Sequence, residues 1–237
     1  MMTNSILPSK PDNTSLVQQF APKPRSFNAW GQLATQENIN PFAKATTIPI
    51  RIFGFTKESF VDGPGIRIVV FVQGCNNVCP YCHNPNSWDI NGGDEYTVSE
   101  IIKKIKTAYA TKSYTGGLNG ALPSAQKKKA KASRKIQGVT FSGGEPFMQA
   151  AALAMVAKVI KPLGLDITTY TGYLYEDLVK SNDTDTHALL NLTDYLIDGP
   201  YIHSQRDIGL KFRGSANQRI IDMNKTRESE KLVLCLQ

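Results

Sequence analysis

The chain has 237 residues, 41% of them hydrophobic and 20% charged, which is enough apolar material for a sizeable core and too much for a disordered protein. Basic residues outnumber acidic ones by 27 to 20, a net charge of +7, but seven of them lie in the acid-free segment 112–135 and the remainder is balanced. A neutral body with one basic segment argues against direct nucleic-acid binding, and with neither an apolar run long enough to span a bilayer nor a secretory signal in the pattern, a cytoplasmic protein is expected.

Residues 1–48 are rich in Asn, Gln, Ser, Thr and Pro and have little apolar periodicity. They cannot bury enough surface to offset the entropy of ordering, so they read as a flexible polar tail ahead of a structured domain over 49–237. A transit peptide is the alternative, since acidic residues are few there, but basic residues are sparse too.

Residues 66–73, IRIVVFVQ, read as a buried strand. Thr97 followed by Glu100 is a capping-box signature, and Ile101, Ile102, Ile105, Ala108 and Tyr109 recur at helical spacing, which predicts a helix over 98–111. The stretch 113–135 then carries Gly, Pro and Lys without a core-facing pattern, and it is about twice the length of an ordinary helix-to-strand loop. It reads as a basic low-complexity insertion. GVTFS (138–142) is a second strand, and 147–161 an apolar helix closed by Pro162 and Gly164. LDITTYT (165–171) is a third strand, 174–191 is helical in one or two pieces, and YLID (195–198) is a fourth strand. Cys235, in LVLCL, reads as a buried strand residue. Strands alternating with helices predict an α/β fold, either a parallel sheet or a partial (β/α) barrel with parallel strands.

The motifs fall at the carboxyl ends of those strands: FVQG runs into Cys75, GVTF into SGGEP, TYTG ends the third strand and DGP follows the fourth. In a parallel α/β architecture that edge is where loops held by a rigid sheet bind ligands.

Cys75, Cys79 and Cys82 form CxxxCxxC, a thiolate density suited to zinc or an iron–sulfur cluster. A structural zinc needs a fourth ligand, for which only the remote Cys235 or His203 are available, because His83 is adjacent to Cys82 and poorly placed to share the ion. The residues Cys79 to His83 also match CxxCH, the haem-attachment pattern, which would require an exported chain. Three ligands on a four-iron cluster would leave one iron open to a substrate. Ser142-Gly143-Gly144-Glu145-Pro146 sits between a strand and a helix; by itself it is a glycine turn, but the glycines permit close backbone approach and Glu145 offers an anion to an ammonium group.

The stretch DGPGIRIVVFVQGCNNVCPYCHNPNSWD (62–89) closely resembles the cluster loop of the radical S-adenosylmethionine superfamily, and specifically its glycyl-radical-enzyme activases. The resemblance covers about residues 50–222. It implies a single domain with a partial (β/α) barrel, a [4Fe-4S] cluster held by Cys75, Cys79 and Cys82, and S-adenosyl-L-methionine chelated at the fourth iron. Further cofactor contacts are implied at Tyr81 and His83, and at Gly143, Gly144 and Glu145 for the amino group. Thr169 and Thr171 suit the nucleoside part by their place on the same edge. Reductive cleavage of the cofactor would yield methionine and a 5′-deoxyadenosyl radical, and that radical would take hydrogen from a glycine Cα of a partner enzyme.

The stretch 194–222 resembles most the activating components of anaerobic ribonucleotide reductase, where Arg213-Gly214-Ser215 and Asn217-Gln218-Arg219 match a signature; here they either fix the last strand by a turn or contact cofactor or partner. The implied partners are therefore a glycyl radical enzyme, that reductase foremost, and flavodoxin or ferredoxin as electron donor. A pyruvate formate-lyase type activase is the alternative within the class, and a non-enzymatic iron–sulfur or zinc protein the alternative outside it.

Overall fold

The computed structural model describes residues 47–110 and 135–235, so nearly all of the expected tail (1–48) and of the expected basic insertion (113–135) lies outside the described residues. A seven-stranded mixed sheet organises the fold. Its strands are β1 (Pro49–Ser59), β2 (Arg67–Val72), β3 (Asp94–Thr97), β4 (Gly138–Gly143), β5 (Asp166–Tyr170), β6 (Tyr195–Asp198) and β7 (Arg219–Asp222). The spatial order is β3-β1-β2-β4-β5-β6-β7. The four central strands β2, β4, β5 and β6 are parallel, while β1, β3 and β7 add antiparallel edges. All described residues fall within one compact unit.

Helices α1 (Val98–Ala110), α2 (Ala150–Ile160), α3 (Tyr175–Lys180), α4 (Thr184–Leu192) and α5 (Met223–Ser229) complete the fold. The capping box forms as the sequence predicts: Glu100 N–H donates to Thr97 Oγ1 at 3.3 Å and Thr97 N–H to Glu100 Oε2 at 2.7 Å. Ile101, Ile102 and Ile105 of α1 and Leu153, Val156 and Ile160 of α2 share one buried core with Ile68, Val70, Val139, Phe141 and Ile167 of the central strands. The strands are buried on both faces, but only one face is mainly apolar: Arg67, Thr140 and Thr168 are fully buried polar residues next to those apolar positions. The predicted 174–191 helix is two pieces, α3 and α4, with Asp183 capping the second through Asp185 N–H and Thr186 N–H.

Three expectations need correction. The window Pro146–Leu163 does reach the length and mean hydropathy (1.2) of a membrane span, but half of it is buried in the protein. It is split into a 3-10 turn, α2 and a second 3-10 turn, and it is the core helix. No other helix among the described residues is long and apolar enough to cross a membrane. Cys235 is half-buried and lies outside any strand: its segment runs along β7 with one bridge, Ile221 to Leu234, and leaves Leu234 49% exposed. Finally, β1, β3, β7 and α5 have no counterpart among the elements given a range from the sequence.

Candidate cluster and cofactor site

The central strands deliver four loops to one edge, and those loops close a cavity of about 310 Å³. Cys75, Cys79 and Cys82 line it together with Gly143, Gly144 and Glu145, so the two motifs the sequence separates by some sixty residues meet. The joint is tight. Gly144 N–H donates to Val72 O and Glu145 N–H to Gly74 O, each at 2.7 Å, and a Cβ on Gly144 would sit 2.2 Å from the Gly74 carbonyl oxygen. Glycine is required there because the turn after β4 is pressed against the start of the cysteine loop.

The cysteine loop makes two left-handed turns at non-glycine residues, Val78 (φ 43°) and Tyr81 (φ 60°). Such backbone strain is costly for β-branched and bulky residues and collects at functional sites. All three thiols are free and half-buried. Asn84 N–H donates to Cys82 Sγ at 3.4 Å. Burial pushes the Cys75 thiol up from its ordinary value, opposed by the backbone N–H groups of Asn77 and Val78.

Among the described residues, no three His, Cys, Asp or Glu side chains converge tightly enough to hold a single metal ion. The zinc alternative loses its geometry with that, since neither Cys235 nor His203 lines the cysteine cavity. A multi-iron cluster makes a different demand: each thiolate binds its own iron, so the ligands stand apart by the width of the cluster. One loop presenting three half-buried thiols into a shared cavity fits it.

Glu145 is fully buried and saturated with donors. Oε1 accepts from Thr171 Oγ1 (2.9 Å) and Phe147 N–H (3.1 Å), and Oε2 from Gly172 N–H (2.8 Å) and Asn77 Nδ2 (3.0 Å). Burial nevertheless raises its carboxyl to about 7, outweighing the hydrogen bonds that pull it down. The group is thus a keystone joining the cysteine loop, the end of β5 and the turn before α2. Asn77, Gly172 and Trp88 are site residues given no role from the sequence, although Asn77 lies within CxxxCxxC and Gly172 ends TYTG.

Other predicted residues are distributed unevenly. His83 and Thr171 line the cavity. Tyr81 does not: it is 74% exposed on the rim, with its ring stacked on His203 at a centroid distance of 4.2 Å. Thr169 does not line it either. It is fully buried and its hydroxyl pairs with Thr193 at 2.9 Å beneath α4, because strand alternation turns residue 169 away from the face that carries Tyr170. Tyr170 lines the cavity instead, with its hydroxyl donating to Phe212 O at 2.8 Å.

The 213–219 signature fixes loops. Gln218 Oε1 accepts from the N–H groups of Gly214 and Ser215, and its Nε2 donates to Gly199 O. Arg219 grips the fully buried Asp198 and reaches Glu176. Of the two readings left open by the sequence, the turn that fixes β7 has its bonds here, while Gly214 and Gln218 also face the cavity.

An α/β sheet whose carboxyl edge gathers three cysteine thiols, a glycine turn and a buried carboxyl group describes a class of proteins that hold a multi-iron centre beside a small molecule. Residues 61–221 match the family described as 4Fe-4S single cluster domain. The chain is 36% identical over 137 residues to the pyruvate formate-lyase-activating enzyme of Clostridium pasteurianum, covering 56% of this chain and 49% of that protein. It is 34% identical over 165 residues to the anaerobic ribonucleoside-triphosphate reductase-activating protein of Vibrio cholerae, covering 68% of this chain and 90% of that one. Among solved structures, QueE from Escherichia coli is similar at a TM-score of 0.38 and 11% identity over 68% of this chain and 75% of that one, too weak a likeness to carry the fold. The chain belongs to the 4Fe-4S single cluster domain family, among the radical S-adenosylmethionine activases of glycyl radical enzymes.

Proposed function

We propose that Cys75, Cys79 and Cys82 hold a [4Fe-4S] cluster, and that S-adenosyl-L-methionine binds beside it with its amino group toward Gly143, Gly144 and Glu145. The observation that carries this reading is the common cavity in which the thiols and the Glu145 turn meet. Asn77 occupies one oxygen of Glu145 and is the donor that an ammonium group would displace. A buried carboxylate with a fixed set of donors is worth most to a cation that arrives with its own charge, since the pair is then desolvated together. His83 and Thr171 remain cofactor contacts in this reading; Tyr81 contributes from the rim, and Thr169 supports the wall through Thr193. The central strands form the wall of a partial (β/α) barrel, and the protein works in the cytoplasm.

When bound, the reduced cluster and the sulfonium together supply the 5′-deoxyadenosyl radical that removes hydrogen from a glycine Cα. The protein's part is to orient that pair and to keep water from it. The partner in this reading is anaerobic ribonucleotide reductase, with flavodoxin or ferredoxin as electron donor. The chain spans about half the length of the pyruvate formate-lyase-activating relatives it matches and nine-tenths of the Vibrio cholerae reductase-activating protein.

Anaerobically reconstituted protein, reduced with dithionite, is expected to convert S-adenosylmethionine to 5′-deoxyadenosine, and Cys79→Ala to lose both the iron and the cleavage. A wild-type protein that binds zinc without iron or sulfide, or that loads a cluster without cleaving the cofactor, would remove the activase reading. Mixing the reduced enzyme with each candidate partner and recording the glycyl-radical signal by electron paramagnetic resonance decides between reductase and lyase.

A further inference from the structure

Five buried side-chain polar atoms among the described residues have no hydrogen-bond partner: Gln73 Oε1, Trp88 Nε1, Thr168 Oγ1, Arg213 Nε and Asn217 Oδ1. Trp88 is the one of these residues that lines the cavity of Cys75, Cys79 and Cys82. Its placement is firm. The Trp88 carbonyl accepts the Cys75 N–H at 3.1 Å, and its own N–H donates to Pro85 O at 3.2 Å, closing the 3-10 turn Pro85–Ser87. An indole nitrogen has a donor and no acceptor function, so a buried one that pairs with nothing in the chain is unfavourable unless a bound group accepts it. Around these cysteines the acceptors a cluster would bring are sulfurs, and the same loop already turns one N–H onto sulfur, from Asn84 to Cys82.

We infer that the Trp88 indole N–H donates a hydrogen bond to a sulfur of the bound cluster and thereby helps set its reduction potential. The inference rests on the cluster reading above. The sign follows from charge: a donor aimed at sulfur stabilises the more negative, reduced state more than the oxidised one, so it raises the potential. Trp88 is a tuning residue and takes no part in bond breaking. Its indole also fills the wall of the cavity, so the substitution must keep an aromatic ring while deleting the donor.

Trp88→Phe is the test. Reconstituted without S-adenosylmethionine, it is expected to bind the same iron and sulfide as wild type and to show a more negative midpoint for the one-electron cluster couple. An unchanged midpoint at normal loading overturns the inference. A second measurement does not depend on how that variant folds: with 15N at the indole nitrogens, in a Trp30→Phe background that leaves Trp88 as the only tryptophan, the reduced cluster should show hyperfine coupling to that nitrogen. Absence of the coupling overturns the inference too. If wild-type protein loads no cluster at all, the proposed function fails instead, and the two failures are distinct.

Discussion

Glu145 carries a carboxyl taken wholly out of water and given four donors in exchange. Desolvation still wins, and the group titrates near 7 rather than at its ordinary 4.5. A folded-state value above the unfolded one means the folded chain holds the proton more tightly; that stabilisation is complete below pH 4.5 and is lost as pH rises through 7. The shift corresponds to about 3 kcal/mol. Cluster-free protein is therefore expected to become less stable to urea between pH 4.5 and 7.5, and Glu145→Gln to flatten that dependence; an equal slope in the variant would place the titrating group elsewhere. The SGGEP motif announced Glu145, but its partner Asn77 was hidden, since nothing in an Asn two residues past a cysteine says that the loop will fold back on the β5 end. Thr169 and Thr171 had equal claims from the sequence, and what separates them is that β5 ends at Tyr170: Thr169 is held within the strand against Thr193, whereas Thr171 lies in the turn beyond it, where its hydroxyl reaches Glu145.

At the scale of elements, local signals were read well where they are strong. The Thr97–Glu100 box and the Ile101, Ile102, Ile105, Ala108 stripe placed α1 to within a residue of its end. Thr97→Ala removes the acceptor for Glu100 N–H and is expected to lower stability by about 1 kcal/mol without changing cluster loading, measured by urea unfolding and iron content. Gly164, at φ 78°, ends the turn that follows α2, which is why the Pro162–Gly164 stop signal worked. β1 and β3 escaped for physical reasons. β1 breaks its alternation at two register shifts against β2, and β3 is a four-residue, largely polar edge strand that exists by pairing with β1. The segment around Cys235 misled in the opposite direction: five apolar letters suggest a buried strand, but it lies along an edge and makes one bridge.

Arg67 shows what holds the whole together. Its side chain is entirely buried, with Nε donating to Thr140 Oγ1 at 2.7 Å, Nη1 to Pro64 O at 2.9 Å, and Nη2 to Val139 O and Asp166. One guanidinium thus ties β2, β4, β5 and the Asp62–Gly65 loop across the inner face of the sheet. Removing one partner of a buried ion pair is strongly destabilising, though Asp166 is one-third exposed and can recover some hydration. Arg67→Ala is therefore expected to cost about 3 kcal/mol in urea unfolding, and Arg67→Lys to restore only part of it, because an ammonium group cannot reproduce the planar fork. Full rescue by lysine would mean that charge alone matters there. In the sequence this arginine is the sixth residue of DGPGIR, a polar interruption before an apolar strand, and gave no sign of being fully buried.

By itself the sequence determined the chemistry and the family: thiolate spacing, the glycine turn and the apolar strands are local facts, and each is written in adjacent residues. It also determined that the motifs share one edge, because a parallel sheet sends every strand's carboxyl end the same way. The tertiary structure decided what depends on residues far apart in the chain. It ordered the strands β3-β1-β2-β4-β5-β6-β7, folded Asn77 onto Glu145, turned Thr169 away and Tyr170 inward, and placed Trp88 in the wall of the cysteines' cavity with a buried indole N–H that has no acceptor from the chain. Each of those follows from which side chains compete for the same buried donors and acceptors, and that competition exists only once the sheet has formed.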